Sequence, residues 1–174
     1  MKLVLLMLGV VWAGASFASA ASPAYCDGTD LYSNQGTVVY KFRYTDECED
    51  ALQDARANRG RFCYISTLVR EDGEEVFQFS SSQGCWDALK RLTYSWTGLF
   101  CGDNSKIYQV ASALEIAHMS WEMDCKNALN DANIYNGLFC NKSQMYTHLG
   151  VKLKDYTFES ACKSALLQVS RGSN

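Results

Sequence analysis

Residues 85–101 read CWDALKRLTYSWTGLFC, and this stretch contains both motifs that decide the fold. It begins with the pattern C-x-x-A-L and ends with the pattern G-x-F-C. The first pattern occurs four times along the chain, starting at Cys48, Cys85, Cys125 and Cys162. The second pattern ends at Cys63, Cys101 and Cys140, and Cys26 follows Ala24-Tyr25 with an aromatic residue in the corresponding place. Agreement across these copies indicates a repeat protein.

The eight cysteines divide the chain into four units of similar length. The gaps between successive cysteines alternate between long and short: 22, 15, 22, 16, 24, 15 and 22 residues. The first cysteines of successive units are therefore 37 to 39 residues apart. We place the units at residues 26–62, 63–100, 101–139 and 140–174, within one disulfide-rich domain that spans 21–174. One unit alone has too little core to fold, so neighbouring units must share their cores.

Each unit is predicted to end in a helix that begins near its second cysteine. Apolar residues follow that cysteine at positions +3, +4 and +7 in every copy, which is the spacing of one helix face. Residues of the capping type precede the four helices: Thr45 or Asp46, Ser82, Asp124 and Thr157. Gly60, Gly98 and Gly137 are expected to end the first three helices, which should be roughly 10 to 14 residues long.

The segment between the two cysteines of each unit has the pattern of a β-hairpin. In the second unit, residues 63–69 alternate as one strand, Asp72-Gly73 marks the turn, and residues 76–80 return. The predicted fold class is therefore α+β, with four tandem ββα repeats, antiparallel hairpins and helices packed on one face. The pattern leaves open whether the eight predicted strands form one sheet or two.

The hairpins predict how the cysteines pair. A hairpin returns the chain to its start, so the helix cysteine lies beside the first cysteine of the same unit. A bridge to the next unit would have to span a helix of roughly 15–18 Å, whereas a disulfide needs Cα atoms less than about 7 Å apart. We therefore predict one disulfide within each repeat: Cys26–Cys48, Cys63–Cys85, Cys101–Cys125 and Cys140–Cys162. No C-x-x-C pair is present, and neither a metal site nor a cofactor is expected.

The N-terminus is typical of a secretory signal peptide. One positive charge at Lys2 precedes an uncharged, mostly apolar run over residues 3–15, which is shorter than the roughly 20 residues of a membrane-spanning helix. Small residues at Ala18-Ser19-Ala20 predict cleavage after Ala20, so residues 1–20 are the signal peptide. We expect a secreted or periplasmic protein with no transmembrane segment, which agrees with the high cysteine count.

Composition and charge exclude several classes of protein. In 174 residues, 48% are hydrophobic and 20% are charged, which excludes a disordered chain. The net charge of −3 gives no general attraction to nucleic acid, and no nucleic-acid partner is expected. The charge is uneven, however: the first three units carry −2, −2 and −3, and the last carries +3. A basic end on an acidic body could attract an acidic partner or support head-to-tail contacts.

The sequence contains few residues that could carry out catalysis. His118 and His148 are the only histidines, they are not at corresponding positions of their repeats, and neither belongs to a catalytic motif. We therefore expect a binding or structural module for a protein, a glycan or an envelope component, and not an enzyme. The alternative is a small secreted hydrolase that uses His118 or His148 as its acid or base. The candidate binding residues are aromatic, and packing at the helix–sheet edge is their other interpretation: Tyr64, Trp86, Trp96 and Trp121.

Overall fold

The computed structural model describes residues 24–171, and the predicted signal peptide lies outside them. Each of the four units contains three short strands followed by one helix. The first unit comprises β1 (Tyr25–Asp27), β2 (Asp30–Tyr32), β3 (Val38–Lys41) and α1 (Thr45–Ala57). The second comprises β4 (Arg61–Tyr64), β5 (Thr67–Arg70), β6 (Glu75–Gln78) and α2 (Ser82–Tyr94). The third comprises β7 (Leu99–Cys101), β8 (Lys106–Gln109), β9 (Leu114–His118) and α3 (Glu122–Ile134). The fourth comprises β10 (Leu138–Asn141), β11 (Gln144–Thr147), β12 (Lys152–Asp155) and α4 (Glu159–Arg171).

The predicted α+β architecture of hairpin and helix in each unit is confirmed, with one strand more per unit than the pattern indicated. Residues 63–69 do not form a single strand, because the chain turns back at Ile65, whose φ is 56°. Tyr64 therefore pairs with Thr67 across a two-residue turn. The strand that carries the first cysteine of the unit is consequently separate from the hairpin that follows it.

The strands form four separate antiparallel sheets, one in each unit. Every sheet has three strands in chain order, so the middle strand of each unit pairs with both of its neighbours. This organisation is neither the single sheet nor the pair of sheets that the sequence left open. Each sheet is small, and its stability depends on the helix and on the neighbouring unit.

The four helices contain 13 residues each, and their starts differ from the predicted capping residues. The N-cap of α2 is Ser81, whose hydroxyl accepts a hydrogen bond from the Gly84 N–H at 3.2 Å. Tyr44 and Trp121 occupy the N-cap positions of α1 and α3. In α1 the Glu47 carboxylate accepts the Tyr44 N–H instead, so the cap does not need a short polar side chain.

The predicted disulfides are confirmed in all four units. Each joins the first strand of a unit to the beginning of its helix, with Cα atoms 6.0 to 6.1 Å apart. The helix cysteines are fully buried. The bridges therefore fix each helix on its own sheet, and such a set of disulfides is typical of proteins from oxidising compartments.

The units are locked together by the phenylalanine of the G-x-F-C motif. Because β4, β7 and β10 begin two residues before the first cysteine, Phe62, Phe100 and Phe139 belong to the second, third and fourth units in the structure. They have no exposed surface, and each lies in the core of the preceding unit. Phe62, for example, packs with Leu31 and Phe42 of the first unit. Each of the first three helices contacts the first strand of the next unit as well as its own sheet. Among residues 24–171, no helix has the length and apolar character that crossing a membrane requires.

Candidate functional site

Consecutive helices leave grooves between them, and the same two helix positions can be compared from one groove to the next. The residue six places after the helix cysteine is Arg91 in α2 and Asp131 in α3. The residue one place after the cysteine of the next helix is Lys126 in α3 and Lys163 in α4. The pair Arg91 and Lys126 in one groove therefore corresponds to the pair Asp131 and Lys163 in the next.

The groove between α3 and α4 is crossed by an ion pair. The ammonium group of Lys163 lies 2.5 Å from the carboxylate of Asp131, and the Asp131 side chain is only 17% exposed. Two opposite charges from neighbouring helices thus satisfy each other across the groove. This contact gives each charge a partner across the groove, and the Lys163 side chain remains 38% exposed.

The junction between α1 and α2 is bridged by polar contacts. The Thr93 hydroxyl of α2 donates to the side-chain oxygen of Asn58, which follows α1. The Arg61 guanidinium donates to the Leu92 carbonyl at 3.5 Å, and burial together with the charge of Arg59 lowers the pKa of Arg61. These side chains join the ends of the two helices.

In the groove between α2 and α3, the two corresponding positions both carry cations. Arg91 and Lys126 cannot form the pair that Asp131 and Lys163 form, and Lys126 pairs with Glu122 of its own helix. The groove holds a cavity with a volume of about 500 Å³. We call it the α2–α3 groove and define it by its cationic, amide and aromatic lining: Lys90, Arg91, Tyr94, Lys126, Asn130 and Asn133.

The floor of the α2–α3 groove is apolar and rigid. Leu99 and Leu129 lie beneath it and are almost completely buried. Asn133 is held in place because its side-chain oxygen accepts a hydrogen bond from the Ser95 hydroxyl at 2.8 Å. The amide and the cations therefore project from helices that are braced by packing and by disulfides.

The charge of the groove changes along its length. Asp87 is the one carboxylate lining the 500 Å³ cavity among the described residues, and it accepts a hydrogen bond from Gln83 at 3.0 Å. Toward the helix N-termini a second cavity of about 300 Å³ continues the groove, and Asp103 and Glu122 line it. Asp103 accepts a hydrogen bond from the Ser80 N–H. The cationic end is thus the one bordered by Tyr94, at the C-terminus of α2.

The structure separates the four aromatic residues that the sequence singled out. Trp96 borders the α2–α3 groove, since its indole N–H donates to the Asn133 carbonyl at 3.5 Å, and it is 53% exposed. Trp121 lines a cavity of about 390 Å³ beside α3 and α4. Trp86 is exposed on α2, at the position that corresponds to Lys126. None of the ring contacts among the described residues joins two of these four.

Tyr64 has a packing role in this structure. Its ring lies edge-on to Phe42 at 5.1 Å, and its hydroxyl donates to Glu47 at 3.3 Å. The contact joins the second unit to the first. Tyr64 is half-buried, and its contacts agree with the packing interpretation.

The two histidines lie in different settings. His148 packs edge-on against Trp96, with ring centroids 5.3 Å apart. His118 is exposed at the end of β9. Within residues 24–171, no hydrogen bond joins either imidazole to a carboxylate.

Sequence reasoning missed the cations of the α2–α3 groove. Position +6 from the helix cysteine reads Asp54, Arg91, Asp131 and Gln168 in the four units. Arg91 is the one cation in that series, and comparing the repeats position by position could have identified it.

Comparison of the chain with protein-family models, with curated proteins and with solved structures found no match. Its class therefore rests on its own architecture, which is that of a disulfide-rich protein built from four βββα repeats.

Proposed function

We propose that this protein is an exported binding module that holds an acidic glycan in the α2–α3 groove. One observation supports the proposal above all others. Arg91 and Lys126, both cations, occupy the two positions at which Asp131 and Lys163 form an ion pair in the next groove. Lys126 pairs with Glu122 of its own helix, whereas Arg91 meets a cation and not an anion across the groove, which favours an anion from outside. A carboxylate or sulfate group matches the fork of an arginine and the point charge of a lysine.

The remaining lining favours a sugar as the carrier of that anion. Asn130 and Asn133 supply amides, which both donate and accept hydrogen bonds as hydroxyl groups require. Tyr94 and Trp96 stand exposed at the same end of the groove, and their rings offer flat apolar faces. Binding sites of this kind combine aromatic surface with a few placed polar groups.

The test is calorimetric titration of the oxidised protein with a hexamer of galacturonic acid, and with an uncharged galactose hexamer as the comparison ligand. We expect binding of the acidic hexamer alone. Arg91→Gln should weaken it about tenfold or more, because a hydrogen bond to a charged group contributes roughly 1.5–3 kcal/mol. Arg56→Gln removes another exposed cation, in the last turn of α1, and should leave binding unchanged.

A second variant tests the role of the two like charges directly. Arg91→Asp places an aspartate opposite Lys126, as Asp131 lies opposite Lys163 in the next groove. We expect it to close the groove and abolish binding without lowering the melting temperature. Equal binding of the neutral and acidic hexamers, or equal weakening by Arg56→Gln, would contradict the proposal. Cleavage of the hexamer that is lost on replacing His118 and His148 would favour the hydrolase instead.

A further inference from the structure

The third and fourth units each present an aromatic pair from their first two strands to the unit before, and in the second unit Val69 stands beside Phe62 in place of the second ring. In the third unit Phe100 stacks on Tyr108 with ring centroids 5.6 Å apart, and in the fourth unit Phe139 stacks on Tyr146 at 5.7 Å. Phe100 and Phe139 are completely buried in the preceding core. We call this pair the plug of its unit.

The first unit carries the same plug with no unit before it in residues 24–171. Tyr25 stacks on Tyr32 at 5.2 Å, with planes only 6° apart. Tyr25 directly precedes the first cysteine of its unit, as Phe100 and Phe139 do. Tyr25 is nevertheless 45% exposed. The first unit therefore displays, already assembled, a contact element that is buried wherever a preceding unit exists.

Each plug enters a socket formed by the residues eight and six places before the helix cysteine. In the first unit these are Tyr40 and Phe42, each 5.8 Å from the ring of Phe62. In the second they are Phe77 and Phe79, at 5.8 and 6.0 Å from Phe100. The sockets of the first two units thus consist of aromatic rings, which Phe62 and Phe100 of the next units cover.

The socket of the fourth unit is not covered by a following unit within the described residues. Its two positions are Lys154 and Tyr156, and the Lys154 ammonium lies 5.1 Å from the centre of the Tyr156 ring. Beside it Leu153 is 52% exposed, whereas Val76, at the corresponding position of the second unit, is 6% exposed. The end of the fourth unit therefore exposes apolar surface around one cation.

We infer that the fourth unit of one molecule receives the first unit of a second copy of this chain. The residue after each first cysteine faces the socket of the preceding unit: Tyr64 lies 5.6 Å from Tyr40, and a Cβ on Gly102 would lie 2.7 Å from Phe77. The corresponding residue of the first unit is Asp27. A second copy placed by the repeat therefore brings Asp27 to Lys154.

The charges of the two ends agree with this assignment. The fourth unit carries a net charge of +3 and the first carries −2. In the inferred contact, the Lys154 ammonium moves from the ring of Tyr156 to Asp27 of the second copy. Tyr25 of that copy then packs against the ring of Tyr156. Because the two contacting surfaces differ, the contact does not close on itself, and copies add head to tail into open chains. Part of the attraction is an exposed ion pair, so the assembly weakens as salt is added.

The experiment is analytical ultracentrifugation of the exported, oxidised protein over a range of concentrations at low and high salt. We expect the mean mass to rise steadily with concentration and to fall with salt. Tyr25→Ala and Asp27→Lys should each leave a monomer, while Leu114→Ala, which truncates a side chain of β9 that is 63% exposed, should assemble normally. All of these side chains are at the surface, and an unchanged melting temperature confirms that each variant is folded.

A charge exchange distinguishes this contact from any other self-association. Lys154→Asp alone should abolish assembly, and the double variant of Asp27→Lys with Lys154→Asp should restore it. A wild-type protein that stays monomeric at every concentration overturns the inference. So does assembly that persists in Tyr25→Ala, or a closed dimer that does not grow further.

Discussion

Replacing Phe100 with alanine tests whether the repeats share their cores. The side chain has no exposed surface, and it lies among residues of the second unit although it belongs to the strand of the third. Removing a buried phenylalanine costs about 3–5 kcal/mol, since both burial and packing are lost. For a chain of this length, each kcal/mol corresponds to about 2–4 °C in melting temperature. We therefore expect a decrease of roughly 6–20 °C.

The matched control is Phe158→Ala, which removes the same atoms from a side chain that is 67% exposed. A surface substitution of this kind changes stability by about 0.5 kcal/mol or less. Thermal denaturation followed by tryptophan fluorescence and by far-ultraviolet circular dichroism measures both variants. The three described tryptophans lie in the second and third units, whereas the dichroism reports all four helices.

If the second and third units share a core, the two probes should also agree with each other for Phe100→Ala. Both probes should give the same, earlier midpoint, because loss of the contact destabilises the second and third units together. If the two variants unfold alike, Phe100 does not contribute the core contact described here. If only one probe shifts, the units fold independently and the interlocking is not cooperative.

Three further predictions concern the disulfides, an ionisable tyrosine and export. Replacing Cys63 and Cys85 together with serine should cost about 3 kcal/mol in urea denaturation, and an unchanged midpoint would contradict it. Burial and the neighbouring Glu75 raise the pKa of Tyr40 from 10.0 to about 12. The contribution of the protonated Tyr40 to stability is intact below pH 10 and is lost as the pH rises toward 12. The melting temperature of Tyr40→Phe should therefore decline less steeply than that of the wild type between pH 10 and 12. An equally steep decline in the variant would refute this. N-terminal sequencing of the exported protein should begin at Ala21, and recovery of an uncleaved, membrane-bound chain would contradict it.

The disulfides and helices could be predicted because their signals are local and repeated. Each helix cysteine precedes its apolar face by fixed intervals, and the hairpin leaves only one partner within reach. The sequence pattern predicted one strand too few in each unit, and in the second unit the reason is a turn without a local signal. In the second unit the chain reverses at Ile65-Ser66, with no glycine or asparagine to mark the positive φ of Ile65.

The candidate site could not be predicted from one stretch of sequence. Arg91 and Lys126 are 35 residues apart, and each is an ordinary solvated cation on its own helix. Their significance comes from facing each other across the α2–α3 groove, which depends on how far successive helices are displaced by the repeat. The aromatic residues were selected by type, and the fold places them on different elements: Tyr64 in β4, Trp86 in α2 and Trp121 at the N-cap of α3. Only Trp96 reaches the groove.

Both proposals rest on residues that depart from the repeat, Arg91 and Lys154. Each of them places a charge where the corresponding residue of another unit has a partner within the chain. Inside the array, a position such as Asp131 is satisfied by the next unit, because Lys163 stands opposite. Arg91 replaces that anion with a cation, so the next unit supplies no opposite charge at this position. Lys154 likewise occupies a place where Tyr40 and Phe77 stand in other units, and it leaves apolar surface beside a charge. A repeat that satisfied every position internally would leave fewer groups for a ligand or a second copy to contact. The two substitutions therefore mark the points at which this protein is expected to interact.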